Sequence, residues 1–371
     1  MYGFLLHKVS PIGLDIGHDS VKMVQLVFSR GRISVLAADK VAFDYSLRNG
    51  RNGQLAFASS AINSMLATGG FRGREVVSCL SNDDLRVKIL RIDPVDTFEQ
   101  GDEIPQETLA RLGIDGAVNT VKYIAAGNIG YGGQKKQELI VFAAGNEAIG
   151  SHIEFLEKCG LSPVGIDSVP CALFRNFQRS LRRQNDKETV NVFVDIGSCY
   201  TTVVITQGRH IGFVRQIRGG GGEKIDAAIS AKVQVNPEEA ALLRTQIRTG
   251  ASSETIDAQM QQIINDVTQE VIEELVSQIS MCVRYYAVTF RGQRPAEMIL
   301  SGGEVCDSRF AETCCRRLAL PVTVAEPLKD FSAGSMETQR NGQDKFSELA
   351  VAAGSCLKGW KPAVVEETEY V

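Results

Sequence analysis

The feature that most constrains this chain is a pattern that occurs twice, 180 residues apart. Residues 12–26 read IGLDIGHDSVKMVQL, and residues 192–206 read VFVDIGSCYTTVVIT. Each copy is an apolar strand, an Asp-Ile-Gly turn and a second β-rich strand, and a third strand is predicted to follow at 32–41 and at 211–218. Such a duplication is typical of two similar lobes that face each other across a cleft.

Both turns carry residues that suit phosphate chemistry. Glycine lets the main chain approach a phosphate, backbone N–H groups donate to its oxygens, and a carboxylate at the end of the strand can hold Mg²⁺ directly or through water. We therefore predict that the turns clasp a triphosphate, with Asp15 and Asp195 as metal ligands. The phosphate residues would be Asp15, Gly17 and Ser20 in the first copy, and Asp195, Gly197, Ser198, Thr201 and Thr202 in the second. A single Asp-x-Gly turn would also suit an ordinary tight hairpin, so the prediction depends on the pair.

Two glycine clusters add to this pattern. Gly219–Gly222, followed by Glu223 and Lys224, lies between a predicted strand and the helical pattern EKIDAAISAKV. A helix that begins there would present its N-terminus to an anion. Residues 297–304 read EMILSGGE, a strand stopped by Gly302 and Gly303, where a purine ring could pack against bare backbone. Either cluster taken alone could be a plain flexible turn.

The segment between the two copies has a different texture. We interpret 74–80 and 87–92 as a hairpin around the polar turn SNDDLR, followed by a helix that ends near Leu112-Gly113. Strands at 118–126 and 137–144, on either side of the loop GNIGYGGQKK, and a helix at 146–159 complete the unit. The predicted domains are therefore a first lobe (1–73), an inserted α+β subdomain (74–160), a return segment and linker (161–188) and a second lobe (189–371). The second lobe should contain helices from Asn236-Pro237 onward and at about 253–289.

Composition excludes several classes of protein. With 40 basic and 44 acidic side chains and a net charge of −4, the chain lacks the basic character of nucleic-acid-binding proteins. No apolar run approaches the ~20 residues of a membrane-spanning helix. The nine cysteines include no CxxC and the four histidines are far apart, so a zinc site has no supporting spacing. We expect a cytoplasmic protein with reduced cysteines.

Taken in order, these motifs resemble those of the actin, Hsp70 and sugar kinase superfamily of nucleotide-binding proteins. Within it, the chain is similar to the PilM family of type IV pilus assembly proteins, relatives of the division protein FtsA. The likeness runs from GLDIGHDSVKMVQL through REVVSCLSNDDLRVKILRIDP and GIDSVPCALFRN to AVAAGSCLKG. The resemblance implies an α/β, actin-like (ribonuclease H-like) duplicated two-lobe fold with an inserted 1C-type subdomain.

The resemblance also implies a function. Members of the family bind ATP and Mg²⁺ and act as nucleotide-dependent scaffolds that hold the N-terminal tail of the inner-membrane protein PilN. This chain would therefore lie at the inner face of the inner membrane through a PilN-like partner, with self-association possible. Phosphate and metal roles would pass to Asp15, Gly17, Ser20, Asp195, Gly197 and Thr201, and adenosine or ribose roles to Gly302, Gly303, Glu223 and Lys224. The remaining predicted nucleotide-binding residues are His18, Lys22, Ser198, Gly220, Gly221 and Glu304.

The chain departs from the family pattern at the turns themselves. His18, Cys199 and Tyr200 stand where relatives carry smaller residues, and Tyr200 would either crowd the phosphate turn or face the core. The candidate general base is Asp167, whose alternative role is a turn or helix cap. The sequence thus leaves open whether ATP is hydrolysed.

Two alternative functions remain at this stage. An FtsA-like filament former would need a basic amphipathic ending, whereas this chain ends in KPAVVEETEYV. A small-molecule kinase would need a substrate pocket and an aspartate base beside the γ-phosphate, for which the sequence gives no separate sign.

Overall fold

The computed structural model describes residues 8–29, 31–48, 50–92, 103–131, 134–179, 188–250, 256–290, 294–331 and 346–360. The chain divides into two compact units. Unit 1 comprises Met1–Ser81, Gly150–Ser180 and Glu326–Val371, and unit 2 comprises Asn82–Ile149 and Leu181–Ala325. The acidic ending 361–371 and residues 180–187 of the predicted return segment and linker lie outside the described residues.

The strands in chain order are β1 (Lys8–Val9), β2 (Ile12–Ile16), β3 (Ser20–Ser29), β4 (Arg32–Ala42), β5 (Glu75–Cys79), β6 (Leu85–Ile92), β7 (Asn119–Tyr131), β8 (Gln134–Gly145), β9 (Ser162–Asp167), β10 (Val190–Ile196), β11 (Tyr200–Gln207), β12 (His210–Arg218), β13 (Glu297–Ser301) and β14 (Val322–Val324). The α-helices are α1 (Arg51–Thr68), α2 (Gln106–Arg111), α3 (Asn146–Lys158), α4 (Val169–Phe177), α5 (Gly222–Val233), α6 (Pro237–Thr249), α7 (Ala258–Phe290), α8 (Ser308–Leu318) and α9 (Ala350–Ser355).

The main sheets of the two units have the same strand order. In unit 1 the order is β4-β3-β2-β5-β9, and in unit 2 it is β12-β11-β10-β13-β14. Unit 1 has one additional short strand, β1, which pairs with the end of β3. Strands β2, β3 and β4 pair antiparallel in sequence, as do β10, β11 and β12. Strands β5 and β9 run parallel to β2, and β13 and β14 run parallel to β10. The duplication predicted from the sequence is therefore confirmed strand by strand.

The predicted hairpin at 74–92 is wrong. Strand β5 lies inside the unit 1 sheet, parallel to β2 and β9, whereas β6 pairs antiparallel with β8 in unit 2. The residues Val76–Cys79 are all buried, as expected for a strand covered on both faces. Two β-rich runs separated by a short polar turn have the sequence pattern of a hairpin. Only the strands with which each run pairs show that they belong to different sheets.

The segment after this turn forms a sheet of its own, with the antiparallel order β6-β8-β7. Its core consists of Leu90, Leu139 and Val141 packed with Leu109 of α2 and with Ile114. The predicted loop GNIGYGGQKK is mostly strand, because β7 extends to Tyr131 and β8 begins at Gln134. We call this element the three-stranded sheet; the domain boundaries predicted around it remain a prediction.

Helix positions follow the sequence patterns closely. Helix α6 begins at the predicted Asn236 cap, where Asn236 and Glu239 form a reciprocal capping box. In α7 the apolar residues that recur every three or four positions are buried, among them Ile264, Val271 and Ile279. They pack against strand residues such as Val192 and Val194 to form the core of unit 2.

The core of unit 1 combines residues that are far apart in sequence. Strand residues Ile12 and Leu14 pack against Ile62 and Met65 of α1. Helix α9 lies on the other side of β2, so close that a Cβ on Gly13 would stand 2.0 Å from the carbonyl oxygen of Ala352. Within the described residues, no helix has the length and apolar content that crossing a membrane requires.

Candidate functional site

The two Asp-Ile-Gly turns are closed by the same backbone hydrogen bond. Gly17 donates its N–H to the carbonyl of Ser20 at 2.9 Å, and Gly197 donates to the carbonyl of Tyr200 at 3.0 Å. In unit 1 Asp15 is the cross-strand partner of Lys22, and in unit 2 Asp195 is the partner of Thr202. In each unit the aspartate is therefore the next-to-last residue of its strand, directly before a tight, glycine-containing turn.

The first turn is dominated by charged side chains. The ammonium group of Lys22 lies 3.2 Å from the Asp15 carboxylate, and both side chains are largely buried. A Cβ on Gly17 would stand 3.1 Å from the same ammonium group. Two predicted site residues, Asp15 and Lys22, are thus an ion pair beside a third, Gly17, and the half-buried His18 follows directly.

A second carboxylate of this turn, Asp19, escaped the sequence analysis. The hydroxyl of Ser20 donates to Asp19 at 2.8 Å. Burial alone would raise the pKa of Asp19, but the positive charges of Lys22, Lys40 and Arg48, together with this hydrogen bond, hold the pKa below its ordinary value. The signal was present in the sequence, because DIGHDSVK contains two aspartates within reach of one lysine.

The second turn is packed against the glycine run. A Cβ on Gly221 would lie 1.9 Å from the carbonyl oxygen of Gly197, so only glycine fits there. Glu223 donates its N–H to the carbonyl of Ser198 at 3.0 Å, and Gly219 donates to the carbonyl of Cys199 at 2.8 Å. These contacts hold the start of α5 against the turn at backbone-to-backbone distance.

Two threonine positions differ in what they contact. The buried Thr201 hydroxyl donates to the carbonyl of Gly220 at 2.6 Å, so it fixes the glycine run to the turn. Thr202 is equally buried, on the opposite face of β11. Thr201 therefore has a structural contact where the sequence predicted a phosphate ligand.

The SGG turn packs against the end of β10, directly before the second Asp-Ile-Gly turn closes. Gly302 has φ +100°, a left-handed conformation, and a Cβ there would lie 2.3 Å from the carbonyl oxygen of Ile196. The hydroxyl of Ser301 donates to Asp195 at 3.0 Å. Unit 2 thus brings together the Asp-Ile-Gly turn, the glycine run and the SGG turn, with Asp195 where they meet. Gly303 begins a short 3₁₀ helix, Gly303–Cys306.

A buried ion cluster supports this arrangement from α6. Arg244 donates to Glu304 at 2.5 Å and to Asp226 of α5 at 2.7 Å, and all three side chains are buried. Burial lowers the pKa of Arg244, but the two carboxylates raise it above its ordinary value. Glu304, predicted to bind nucleotide, therefore has its carboxylate bound to an arginine that the sequence analysis missed. No spacing links these three residues, so no sequence signal could have found the cluster.

The remaining predicted residues stand at the start of α5. The thiol of Cys199 donates to the exposed carboxylate of Glu223 at 2.8 Å. Lys224 forms an ion pair with Glu274 of α7 at 2.6 Å. Both side chains are accessible, but each already has a partner within unit 2.

A cavity of about 570 Å³ opens beside the 3₁₀ helix that follows the SGG turn. Its lining includes Ile247 and Arg248 from α6, Gln261 and Asn265 from α7, and Cys306 and Asp307. The guanidinium of Arg248 lies 2.9 Å from the Cys306 sulfur. The lining is mostly polar and also includes the carboxylates of Asp266 and Asp307. The predicted adenosine residues Gly302, Gly303, Glu223 and Lys224 are not among the lining residues.

Asp167, the candidate base, lies in unit 1 at the start of α4. Its carboxylate accepts hydrogen bonds from Arg175 at 2.6 Å and from the Ser168 N–H at 2.9 Å, and Lys358 lies 3.4 Å away. These partners hold the carboxylate at the junction of β9 and α4, where Ser168 is the cap residue, and the role of Asp167 as a base stays a prediction. In the part of the chain that the structure describes, no group of three or more His, Cys, Asp or Glu side chains is placed to hold a metal. Mg²⁺ in nucleotide sites needs only one or two carboxylates plus phosphate and water, so Asp15 and Asp195 remain predicted ligands.

The strand order of both sheets defines the chain as an actin-like α/β protein, as the sequence predicted. Comparison with known structures agrees. The PilM-PilN type IV pilus biogenesis complex matches with a TM-score of 0.74 and 19% identity, covering 95% of this chain and 99% of that chain. The ethanolamine utilization protein EutJ from Carboxydothermus hydrogenoformans matches with a TM-score of 0.53 and 15% identity, covering 94% and 89%.

The sequence profile described as Type IV pilus assembly protein PilM matches residues 13–360. The chain belongs to this family of type IV pilus assembly proteins. Among curated proteins, none matches the chain.

Proposed function

We propose that this protein binds Mg·ATP and, as a scaffold of type IV pilus assembly, holds the N-terminal tail of a PilN-like membrane protein. The observation that carries the nucleotide part is the meeting of three backbone turns around Asp195 in unit 2. Such a cluster of turns, with a carboxylate beside glycine-rich backbone, is suited to phosphate and Mg²⁺ together.

The roles of the residues follow from their contacts. Backbone N–H groups of the second turn, which lies beside the positive end of α5, would donate to phosphate oxygens. Asp195 would hold Mg²⁺ directly or through water, oriented by the Ser301 hydroxyl. Bound Mg²⁺ would neutralise phosphate charge. The nucleoside would lie against Gly302 and Gly303, with Glu223 and Lys224 beside it.

For the first turn we propose phosphate contact by Gly17 and Ser20, with Lys22 as a cation and Asp15 as its counter-ion and a metal ligand. The ion pair between Asp15 and Lys22 supports this division, because an anionic phosphate can replace a carboxylate as the partner of lysine. Removing Asp15 therefore tests metal and charge together, whereas removing Asp195 tests the metal role more directly.

The test is isothermal titration of Mg·ATP into the parent protein and into Asp195→Asn. We expect the variant to bind at least about tenfold more weakly, corresponding to about 1.4 kcal/mol. Asp257→Asn is the matched control, because Asp257 is an exposed aspartate of unit 2 whose capping bond to Met260 an asparagine can also make. Equal affinity in Asp195→Asn and the control, or no binding by the parent, would contradict the nucleotide proposal.

The partner proposal rests on membership of the family and on the likeness to the chain seen in a PilM-PilN complex. Its test is the fluorescence anisotropy of a labelled peptide with the N-terminal sequence of a PilN-like protein, with a scrambled peptide as control. We expect saturable binding of the native sequence alone. Vesicles that display the same peptide should bring the protein down on sedimentation, and bare vesicles should leave it in the supernatant, if it lies at the inner membrane through its partner. Equal binding of the scrambled peptide would refute this part while leaving the nucleotide result intact.

A further inference from the structure

Tyr200, which departs from the family pattern, connects the second turn to a distant part of unit 2. Its carbonyl closes the turn by accepting the Gly197 N–H, while its phenol donates to the carboxylate of Asp83 at 2.6 Å. Asp83 lies in the turn that leads into β6, the first strand of the three-stranded sheet. One residue thus contacts both the Asp-Ile-Gly turn and the entry to that sheet, so Tyr200 does not face the core; that it crowds the phosphate turn stays a prediction.

Neighbouring side chains reinforce this connection. The guanidinium of Arg218 lies 3.6 Å from Asp83 and 5.9 Å from the centre of the Tyr200 ring. Gln216 donates to Asn82 at 2.6 Å. Arg218 ends β12 and the glycine run begins with the next residue, so both backbone segments of the proposed phosphate site are bonded to the pair Asn82 and Asp83.

The chemistry of the Tyr200 hydrogen bond makes it persistent. Burial, the bond to Asp83 and the charge of Asp83 raise the pKa of Tyr200 to about 12, so the phenol stays a donor at any physiological pH. The equivalent residue of the first turn, Ser20, hydrogen-bonds to its own neighbour Asp19 instead. The Tyr200 side chain thus reaches out of its turn, whereas the Ser20 hydroxyl bonds within its own.

The three-stranded sheet has a second attachment that does not involve the turn. Arg91 of β6 donates to Glu138 of β8 at 2.9 Å and to the phenol of Tyr285 on α7 at 2.6 Å. Two tyrosine hydroxyls thus hold the same sheet, one from the proposed nucleotide site and one from a helix of the core. This gives a matched pair of single-atom deletions.

Resting on the proposed function, we propose that the Tyr200–Asp83 hydrogen bond couples nucleotide binding at the second turn to the rigidity of the three-stranded sheet. Phosphate binding restrains the turn, and the restraint passes through the phenol to the residues that enter β6. A ligand that reduces the local opening of one segment stabilises whatever opens together with it. The sheet would then present a more ordered surface to a partner when nucleotide is bound.

The test is hydrogen exchange of the full chain, read by mass spectrometry on peptides covering β6, with and without Mg·ATP at a concentration that saturates each variant. In the parent we expect nucleotide to slow exchange by about 5- to 150-fold, the usual range for coupled sites. Tyr200→Phe and Asp83→Asn should reduce this ratio to about one, whereas Tyr285→Phe should raise exchange in both states and keep the ratio. Asp84→Asn, the same charge change one residue along, should also keep it.

Two results would overturn the inference: a parent that binds Mg·ATP by calorimetry without any change of exchange in β6, or an unchanged ratio in both Tyr200→Phe and Asp83→Asn. Using two variants guards against one that folds poorly, and thermal unfolding of each identifies such a case. Absence of Mg·ATP binding to the parent would overturn the proposed function itself, and calorimetry separates that failure from the others.

Discussion

The two Asp-Ile-Gly turns are closed by the same backbone hydrogen bond, but different groups surround and support them. The first is surrounded by charged side chains, with Lys22 between Asp15 and Asp19. The second is packed against other backbone segments, with glycines where any side chain would collide, and its charges lie one layer away in the Arg244 cluster. Duplication thus preserved a hydrogen-bonding frame while the two copies acquired different supports, charged side chains in the first and close backbone packing in the second.

The largest effect is expected where the second turn depends on buried charge. Arg244→Met should destabilise the protein by about 3–5 kcal/mol, because it leaves the carboxylates of Asp226 and Glu304 buried without their cation. Chemical denaturation measures this. Arg248→Met, an exposed arginine one helical turn further along α6, should change stability by less than about 0.5 kcal/mol. Equal stabilities of the two variants would show that the cluster does not support the turn.

A methyl group added to glycine distinguishes the two turns directly. Gly221→Ala should cost about 1–3 kcal/mol, because the new Cβ meets the backbone of Gly197 at 1.9 Å. Gly17→Ala should cost less, since the nearest atom is the movable end of Lys22 at 3.1 Å. Gly145→Ala, which meets nothing within 4 Å, is the control for both. A larger loss for Gly17→Ala than for Gly221→Ala would reverse the comparison.

The charged surroundings of the first turn should appear in the pH dependence of stability. Because the folded pKa of Asp19 lies below its ordinary value of 3.8, its stabilisation is fully present above that pH and is lost as the pH falls below it. Asp19→Asn should therefore destabilise by about 1 kcal/mol at pH 7, and by less once the pH falls below 3.8. Urea denaturation above and below this pH measures the change, with the exposed Glu75→Gln as control. A difference that grows on acidification would contradict the lowered pKa.

The smallest perturbation is chemical labelling of thiols. Cys199 stands in the second turn, half-exposed, whereas burial raises the pKa of Cys356 to about 12. We expect iodoacetamide at pH 8 to modify Cys199 and leave Cys356 intact, because almost none of the latter is thiolate. Mg·ATP should slow labelling of Cys199, as mass spectrometry of its peptide would reveal. An equal rate of Cys199 labelling with and without Mg·ATP would place the ligand away from the second turn.

The sequence predicted those structural features that depend on residues close together in the chain. The strand, turn and strand units, the Asn236 cap and the apolar face of α7 are written in consecutive residues, and the repeated motif was enough to identify the fold. Strand β5 was misassigned because its neighbours β2 and β9 are supplied by distant segments.

The candidate site shows the same limit. The glycines were found from the sequence, but their reason was not: Gly221 and Gly302 make room for backbone of the same unit. The partners of Glu304 and Tyr200 lie 60 and 117 residues away along the chain, at no characteristic spacing. Asp19 could have been recognised by counting charges around the first turn.

The close approach of Gly13 to Ala352 has a consequence for synthesis on the ribosome. The β-meander of unit 1 is translated before every residue of unit 2, yet the helix that covers one side of β2 is translated after every residue of unit 2. At about 5–20 residues per second, the sheet waits on the order of half a minute with apolar surface exposed. Nascent chains stalled before residue 350 should therefore be cleaved by protease within residues 12–29, and the released protein should resist.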